Sequence, residues 1–473
     1  MNNLDIAVVG SGIGGSLISA LNSHRNITLF EKDKNLGGCA STFKRYGNYY
    51  NTGATTFVGY ENNHIVKKHL DTIGVTPNIS KSKIAMRVIQ KNTFIDRDKD
   101  IDNFLKQLNE YYPNPNNKKF WKKIKQIDED FWKLKNIYFA KYSLSKYMKT
   151  TSFIVELLST YGLDLFKSAD SFIAEILGEI SPEYKQFIDA QLLITIQTTS
   201  KNISLLSLAL GLSYPFHDVF YVNEGMGSLI EDIVKDVEVK KNENILKILK
   251  NKNSWILQSN KNEYETKNLI LNSTIYQSSN LFDDESIKNY YDSFSFSDQS
   301  AFVVYLTIKS EKEFLEHYQF ICEELLPNCI SNSFFVSISK KNDEKLSKNG
   351  YSITISTHTK ASYWKSLSTQ NYELEKLKTQ NYIIDKFLDY FTILKKENIT
   401  KYFSATSLTF NRYIGRYNCG GKAIGFHNIT QLPSCNTPFK NLYNVGDTVF
   451  AGQGWPGVAL GVDVLQKELD GNN

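Results

Sequence analysis

The feature that most constrains this chain lies in its first thirty residues. Ile6-Ala7-Val8-Val9 is a short, continuously apolar run, the pattern of a parallel strand covered on both faces. Gly10-Ser11-Gly12-Ile13-Gly14-Gly15 follows at once, then residues 16–23 at helical spacing, then Ile27-Thr28-Leu29-Phe30 as a second strand. Strand, glycine loop, helix and strand at this connection length make a βαβ unit. In such a unit Gly10 permits the tight turn, Gly12 lets backbone approach a pyrophosphate, and Gly15 lets helix and strand pack closely. The helix N-terminus adds unpaired N–H groups and a favourable dipole. A dinucleotide is therefore expected on Gly10, Ser11, Gly12, Ile13, Gly14 and Gly15. Glu31 ends the second strand about 20 residues beyond the first glycine, where a carboxylate bonds the adenosine ribose hydroxyls and repels a 2′-phosphate. Lys32, beside it, is counted with the same site.

Two further elements turn the expected ligand from NAD to FAD. Gly37-Gly38-Cys39-Ala40-Ser41-Thr42 allows a second close approach of backbone to a long dinucleotide. At the far end, Gly446-Asp447 and Gly452-Gln453-Gly454-Trp455-Pro456-Gly457-Val458 form another glycine-punctuated segment opening a helix.

Between these ends the pattern changes. Residues 83–221 are mostly helical, with amphipathic stretches at 103–111, 120–142, 152–166 and 183–199. A helix at 228–235, a strand around Ile245, a hairpin through 255–265 and the apolar run Leu269-Ile270-Leu271 resume the nucleotide domain. Alternating or β-branched runs at 302–308, 334–339 and 352–356 predict an antiparallel sheet, followed by a helix at 372–391. The expected fold is α/β. A discontinuous FAD-binding domain (1–90, 222–290 and 395–473) is joined to an α+β substrate domain made of a helical insertion (91–221) and an antiparallel sheet (291–394).

The glycine loop, Glu31, the 37–38 glycines with Gly53-Ala54-Thr55, Gly225-Met226-Gly227-Ser228-Leu229, residues 268–272, Thr409-Phe410-Asn411-Arg412-Tyr413 and Gly446-Asp447 span nearly the whole chain. Together they resemble the FAD-dependent carotenoid desaturase and carotenoid isomerase family, which includes retinol saturases and belongs to the flavin amine oxidase superfamily. The resemblance implies a Rossmann-like domain of the GR2 type, with Gly37 to Thr42, Gly53, Ala54 and Gly446 at the cofactor. It implies Asp447 on the ribityl or pyrophosphate, Pro456-Gly457-Val458 at the pyrimidine side of the isoalloxazine, and Ile245 offering backbone to adenine. Members that desaturate phytoene often carry Arg where this chain has Cys39, so the particular activity stays open between desaturation, isomerisation and saturation. Cys419, 28 residues before Asp447, has a separation resembling that of the flavin-linked Cys of monoamine oxidases; the preferred reading is non-covalent FAD.

Chemistry on a flavin needs no Ser–His–Asp or metal constellation, and none is read here. The seven histidines are dispersed and are expected to be structural or exposed. Thr55, Thr56, Gln453 and Trp455 are candidates to position substrate beside the flavin. Arg412 or Arg416 could neutralise a flavin or substrate oxygen, or pair with carboxylates. The expected substrate is a long, apolar polyene or isoprenoid. The rival readings are an amine oxidase cleaving C–N bonds and, as a non-enzyme, a prenyl-lipid escort protein of related fold.

A net charge of only +5 argues against a nucleic-acid partner. It is unevenly spread: residues 101–150 hold 11 Lys against 5 acids, interleaved with aromatics such as Phe120, Trp121, Phe131, Trp132, Tyr138 and Tyr147. This segment is read either as an interfacial membrane surface or as core helix with a solvated basic face. Five scattered cysteines and no secretory signal pattern point to a reducing compartment. A cytoplasmic protein, peripheral at most on the inner face of the membrane, is the expectation; the oligomeric state is not legible.

Overall fold

Two seven-stranded sheets organise the described residues. In the first, β1 (Asn2–Val9) lies between β2 (Ile27–Glu31) and strand Glu263–Leu271, all parallel, with Glu238–Lys241 beyond β2. Helix α1 (Ile13–Leu21) crosses from β1 to β2. Strand Glu263–Leu271 forks: its first half pairs antiparallel with Ser254–Ser259, and its last residues pair parallel with Leu442–Asn444. The nucleotide sheet is thus assembled from four separated stretches of chain. Ile6, Ala7, Val8, Leu269, Ile270 and Leu271 are fully buried, as an apolar run covered on both faces must be. The computed structural model describes residues 2–295, 297–421 and 431–471.

The second sheet runs in the order Ile399–Ala405, Gln299–Ile308, Tyr351–Lys360, Ser333–Ile338, His317–Ile321, Met86–Gln90, Thr93–Arg97. All pairs are antiparallel except His317–Ile321 with Met86–Gln90. The expected boundaries at 90 and 395 do not follow this division. The hairpin 86–97 and strand Ile399–Ala405, both allotted wholly or partly to the nucleotide domain, belong to the second sheet. Their residue patterns suit either sheet; only the pairing partner assigns them.

The helical insertion packs as Ile101–Tyr111, Asn117–Phe131, Leu144–Tyr161, Ala169–Leu177, Pro182–Ile196 and Leu205–Ser213. The continuous helix expected over 120–142 is not formed. It stops at Phe131, and Ile137, Tyr138, Phe139 and Ala140 follow as a buried, non-helical stretch. Tyr138 instead runs along the C-terminal helix and hydrogen-bonds Glu468. Fully buried Arg97 ties the insertion together: it donates to Gln191 and to the Leu212 carbonyl, with its guanidinium 4.4 Å from Phe104 and 4.8 Å from Trp121. Among the described residues no helix is long and apolar enough to cross a membrane.

Candidate functional site

A cavity of about 1630 Å³ is lined by both sheets and the helical insertion. At its nucleotide end the first glycine loop turns at Gly10 (φ +101°) into α1, whose first turn carries no side-chain cap and no acidic residue. Its orphan N–H groups and dipole therefore favour an anion at this wall. The glycines have separate reasons. A Cβ at Gly15 would stand 2.0 Å from the Gly10 carbonyl, and one at Gly12 would stand 2.6 Å from the Asn272 amide. Gly38 (φ +56°) faces only the Gly12 Cα at 3.8 Å, so its face of the cradle is open. Glu31 accepts from the Ser11 N–H at 3.0 Å and the Ser11 hydroxyl at 2.6 Å, and Gly37 N–H donates to that same hydroxyl at 3.1 Å. Ser11 thereby joins the two glycine segments and orients Glu31.

A second helix, Gly454–Asp470, also opens on the cavity, and its first turn likewise lacks a side-chain cap and an acid. Pro456 removes one N–H, and Gly454, Trp455 and Gly457 keep theirs. Arg416 lies nearby, buried, donating to Asp447 at 2.8 Å and to the Asn418 carbonyl at 2.7 Å. Burial opposes its charge, but the Asp447 carboxylate outweighs that and keeps it ionised. Its Nη2, the Trp455 indole nitrogen and Gln453 Oε1 are buried without partners among the described residues. Two uncapped helix ends, an open glycine cradle and an orphan guanidinium N–H in one cavity suit a long anionic dinucleotide whose ring end is polar. The residues present fit FAD.

Residues 8–73 match a family model described as an NAD(P)-binding Rossmann-like domain. The chain is 21% identical to a chloroplastic prolycopene isomerase of Daucus carota, covering 96% of this chain and 78% of that protein. Its identity to the prolycopene isomerase of Arabidopsis thaliana is 22%, covering 96% and 81%. Over nearly its whole length the chain is thus similar to chloroplastic carotenoid isomerases. Solved structures carry the fold: an oxidoreductase from Methanosarcina mazei (TM-score 0.63, 16% identity, 98% of this chain and 100% of that one) and a putrescine oxidase variant (TM-score 0.63, 14%, 99% of each). These likenesses, with the cofactor cradle, support an FAD-dependent oxidoreductase.

Most of the expected site residues line the cavity, including Glu31, Lys32, Ile245, Asp447 and the segments at 37–41, 53–56 and 453–458. Three do not. Thr42 is turned away; its hydroxyl accepts from Gly227 N–H at 2.9 Å and caps helix Met226–Ile233. Gly15 is used for helix packing alone. Arg412 is exposed, lying over Tyr413, so the arginine of the site is Arg416, four residues on. The helix Ser407–Ile414 carries Arg412 and ends before Arg416, and Gly415 (φ +70°) turns the chain between them. Thr55 donates to or accepts from Ser337 at 2.5 Å, Gln453 donates to the Thr195 carbonyl at 3.0 Å, and Trp455 stands edge-on to Phe57 at 5.0 Å. Cys39 and Cys419 also line the cavity; burial raises both thiols, that of Cys419 to about 12, so both are protonated at neutral pH.

The expectation of dispersed histidines fails at one wall. His217 donates to Asp128 at 2.6 Å and to Glu61 at 3.3 Å, while His64 lies 6.3 Å from it, ring to ring. His64, Asp128 and His217 line the cavity. Burial opposes charge on His217, but its hydrogen bonds to the two carboxylates prevail and lift it to about 9. Burial and the His217 charge hold His64 down at about 4. Nothing in local sequence joins these residues, which come from three segments more than 60 positions apart.

A pH dependence follows. His217 is raised above its ordinary 6.5, so its contribution is complete below pH 6.5 and is lost as pH climbs through 9, on the order of 3 kcal/mol. His64 is lowered, so its contribution holds above 6.5 and is lost as pH falls toward 4. Thermal melting should peak near pH 6.5. His217→Gln should flatten the alkaline limb, and an unchanged limb would refute this assignment.

Proposed function

We propose that this enzyme acts on carbon–carbon bonds of a long, apolar polyene or isoprenoid, as an isomerase or desaturase, with FAD bound non-covalently. The cavity carries the reading. Ordinary small-molecule sites run to ~300–1,000 Å³, whereas this one, at about 1630 Å³, continues past the cofactor cradle between Phe131, Trp132, Phe153, Leu157, Leu206 and Leu210. Such walls suit a long hydrocarbon. When bound, the flavin supplies hydride acceptance or, in reduced form, a redox poise without net electron turnover. The chain's residues orient and exclude water: Thr55 is pinned by Ser337, Gln453 by the Thr195 carbonyl, and Trp455 seals against Phe57. Isomerisation is favoured over phytoene-type desaturation by position 39. Arg416 lies 3.9 Å from Cys39 Sγ, and an arginine there would set a second guanidinium against the first.

Expression in cells accumulating phytoene, lycopene or other polyenes tests the reading. Altered cis/trans geometry or new double bonds are expected, and no change across the panel overturns it. Bleaching of the purified flavoprotein by amines without oxygen would instead support C–N chemistry.

Delivery from a membrane is part of this proposal, with the contact surface at the end of the basic segment and beyond it. The aromatics Phe120, Trp121, Phe131, Tyr138 and Phe139 of the basic segment 101–150 are core residues, which rules them out as a lipid face. Exposed apolar side chains gather instead on and after helix Leu144–Tyr161: Leu144 (79% exposed), Tyr147, Met148, Val155, Leu163 (83%) and Phe166. Phe153 and Leu157 of the same helix line the cavity, so one helix wall separates lipophilic outside from lipophilic inside. The wild type should float with liposomes, and Leu144→Glu/Met148→Glu/Leu163→Glu should stay behind at least tenfold more; equal flotation refutes this surface.

A further inference from the structure

We propose that His64 and Asp128, in the wall of the cavity, recognise a hydroxyl group carried on the otherwise apolar isoprenoid substrate. The inference rests on the isoprenoid reading above and narrows it to isoprenoid alcohols. A purely hydrocarbon ligand has no use for this wall, because covering ionised groups strips their water without replacing its hydrogen bonds. A hydroxyl both accepts and donates, and the wall presents one of each.

The donor is His64. Its Nδ1 accepts the Val66 N–H at 3.4 Å, which places the ring proton on Nε2. That nitrogen has no hydrogen-bond partner among the described residues. The ring is fixed against Trp132, centroids 4.4 Å apart, and Gly59 makes room for it, since a Cβ there would stand 2.6 Å from the imidazole. The acceptor is Asp128. One oxygen takes the Trp132 indole N–H at 3.2 Å and the other takes His217 at 2.6 Å, so the carboxylate is locked in orientation with lone pairs remaining. Glu61 holds His217 from behind and is itself held by Lys99 at 3.0 Å and by the Asp218 N–H. His217 and Glu61 are positioning residues; His64 and Asp128 face the ligand. No group of three His, Cys, Asp or Glu side chains among the described residues has the geometry to hold a metal ion, so the cluster is not a metal site.

The test uses FAD-loaded enzyme and flavin fluorescence, titrated with geranylgeraniol and with the hydrocarbon of the same skeleton lacking the hydroxyl. The alcohol should bind about tenfold tighter or more, as hydrogen bonds to a buried carboxylate and imidazole predict. His64→Asn keeps a side-chain acceptor for the Val66 N–H but withdraws the Nε2 donor. In that variant, with FAD retention checked, the preference should collapse toward unity. Equal binding of the two probes by the wild type overturns the hydroxyl site and leaves the isoprenoid reading standing. A preference that survives in His64→Asn overturns the site as assigned. Failure of both probes to bind flavin-loaded enzyme overturns both readings.

Discussion

Gly15→Ala should yield protein without flavin colour and with much reduced solubility. The added Cβ would sit 2.0 Å from the Gly10 carbonyl oxygen and 3.1 Å from the Asn272 Cβ. These are backbone and near-backbone atoms of two adjoining parallel strands, and neither can swing aside. Relief requires α1 to lift off the sheet, where Leu17 and Ile18 are fully buried. Overpacking of this kind costs about 3 kcal/mol or more, and displacement of the α1 N-terminus removes the anion wall as well. Gly38→Ala is the informative contrast. It meets nothing nearer than 3.8 Å, so the fold should persist, but it forces a side chain into a left-handed conformation and into the cradle. FAD titration should show weaker binding at nearly unchanged secondary structure. Gly15→Ala with normal flavin content would refute the packing account.

Arg416→Leu should cost both stability and cofactor. It leaves Asp447 and the Asn418 carbonyl without their donor, and breaking a largely buried pair is worth ~3–5 kcal/mol. Asp447 keeps 30% of its side chain exposed, which reduces the expected loss to about 2–3 kcal/mol. The Nη2 donor, unpartnered within the described protein, also disappears from the cavity wall. A lost charged hydrogen bond weakens binding by about ten- to a hundredfold, measurable as the FAD concentration needed to restore flavin absorbance to apoprotein. Arg412→Leu, on the exposed side of the same segment, should change stability by less than about 0.5 kcal/mol and leave FAD affinity alone. Equal effects of the two substitutions would show that Arg416 has no special place.

The contrast between these two arginines marks how far the sequence could be read. Thr409-Phe410-Asn411-Arg412-Tyr413 drew attention to Arg412 as a member of a motif, but motif membership says nothing about which way a side chain points. The helix ends at Ile414, Gly415 turns the chain with φ +70°, and Arg416 enters the cavity. Thr42 is similar: its place among glycines suggested a cofactor contact, whereas its hydroxyl caps a helix 185 residues downstream. The basic, aromatic segment 101–150 stayed open between two readings for a related reason. Lysines and aromatics alternate there at a spacing compatible with core or membrane, and burial alone separates the two.

The βαβ unit, its glycines and the glycine-punctuated C-terminal helix were legible in the sequence because each rests on contacts or dihedral demands spanning only a few residues. Apolar continuity read β1 and β2 correctly, and the acid that ends β2 stands beside the loop it was expected to serve. Tertiary structure alone decided which strands share a sheet, since a β-branched run at 86–90 or 399–405 carries no label for its partner. It alone brought His64, Asp128 and His217 to one wall of the cavity, with Glu61 behind His217. Each is an unremarkable polar residue along the chain; the charge on His217 and the free donor on His64 exist only because folding buries them against one another.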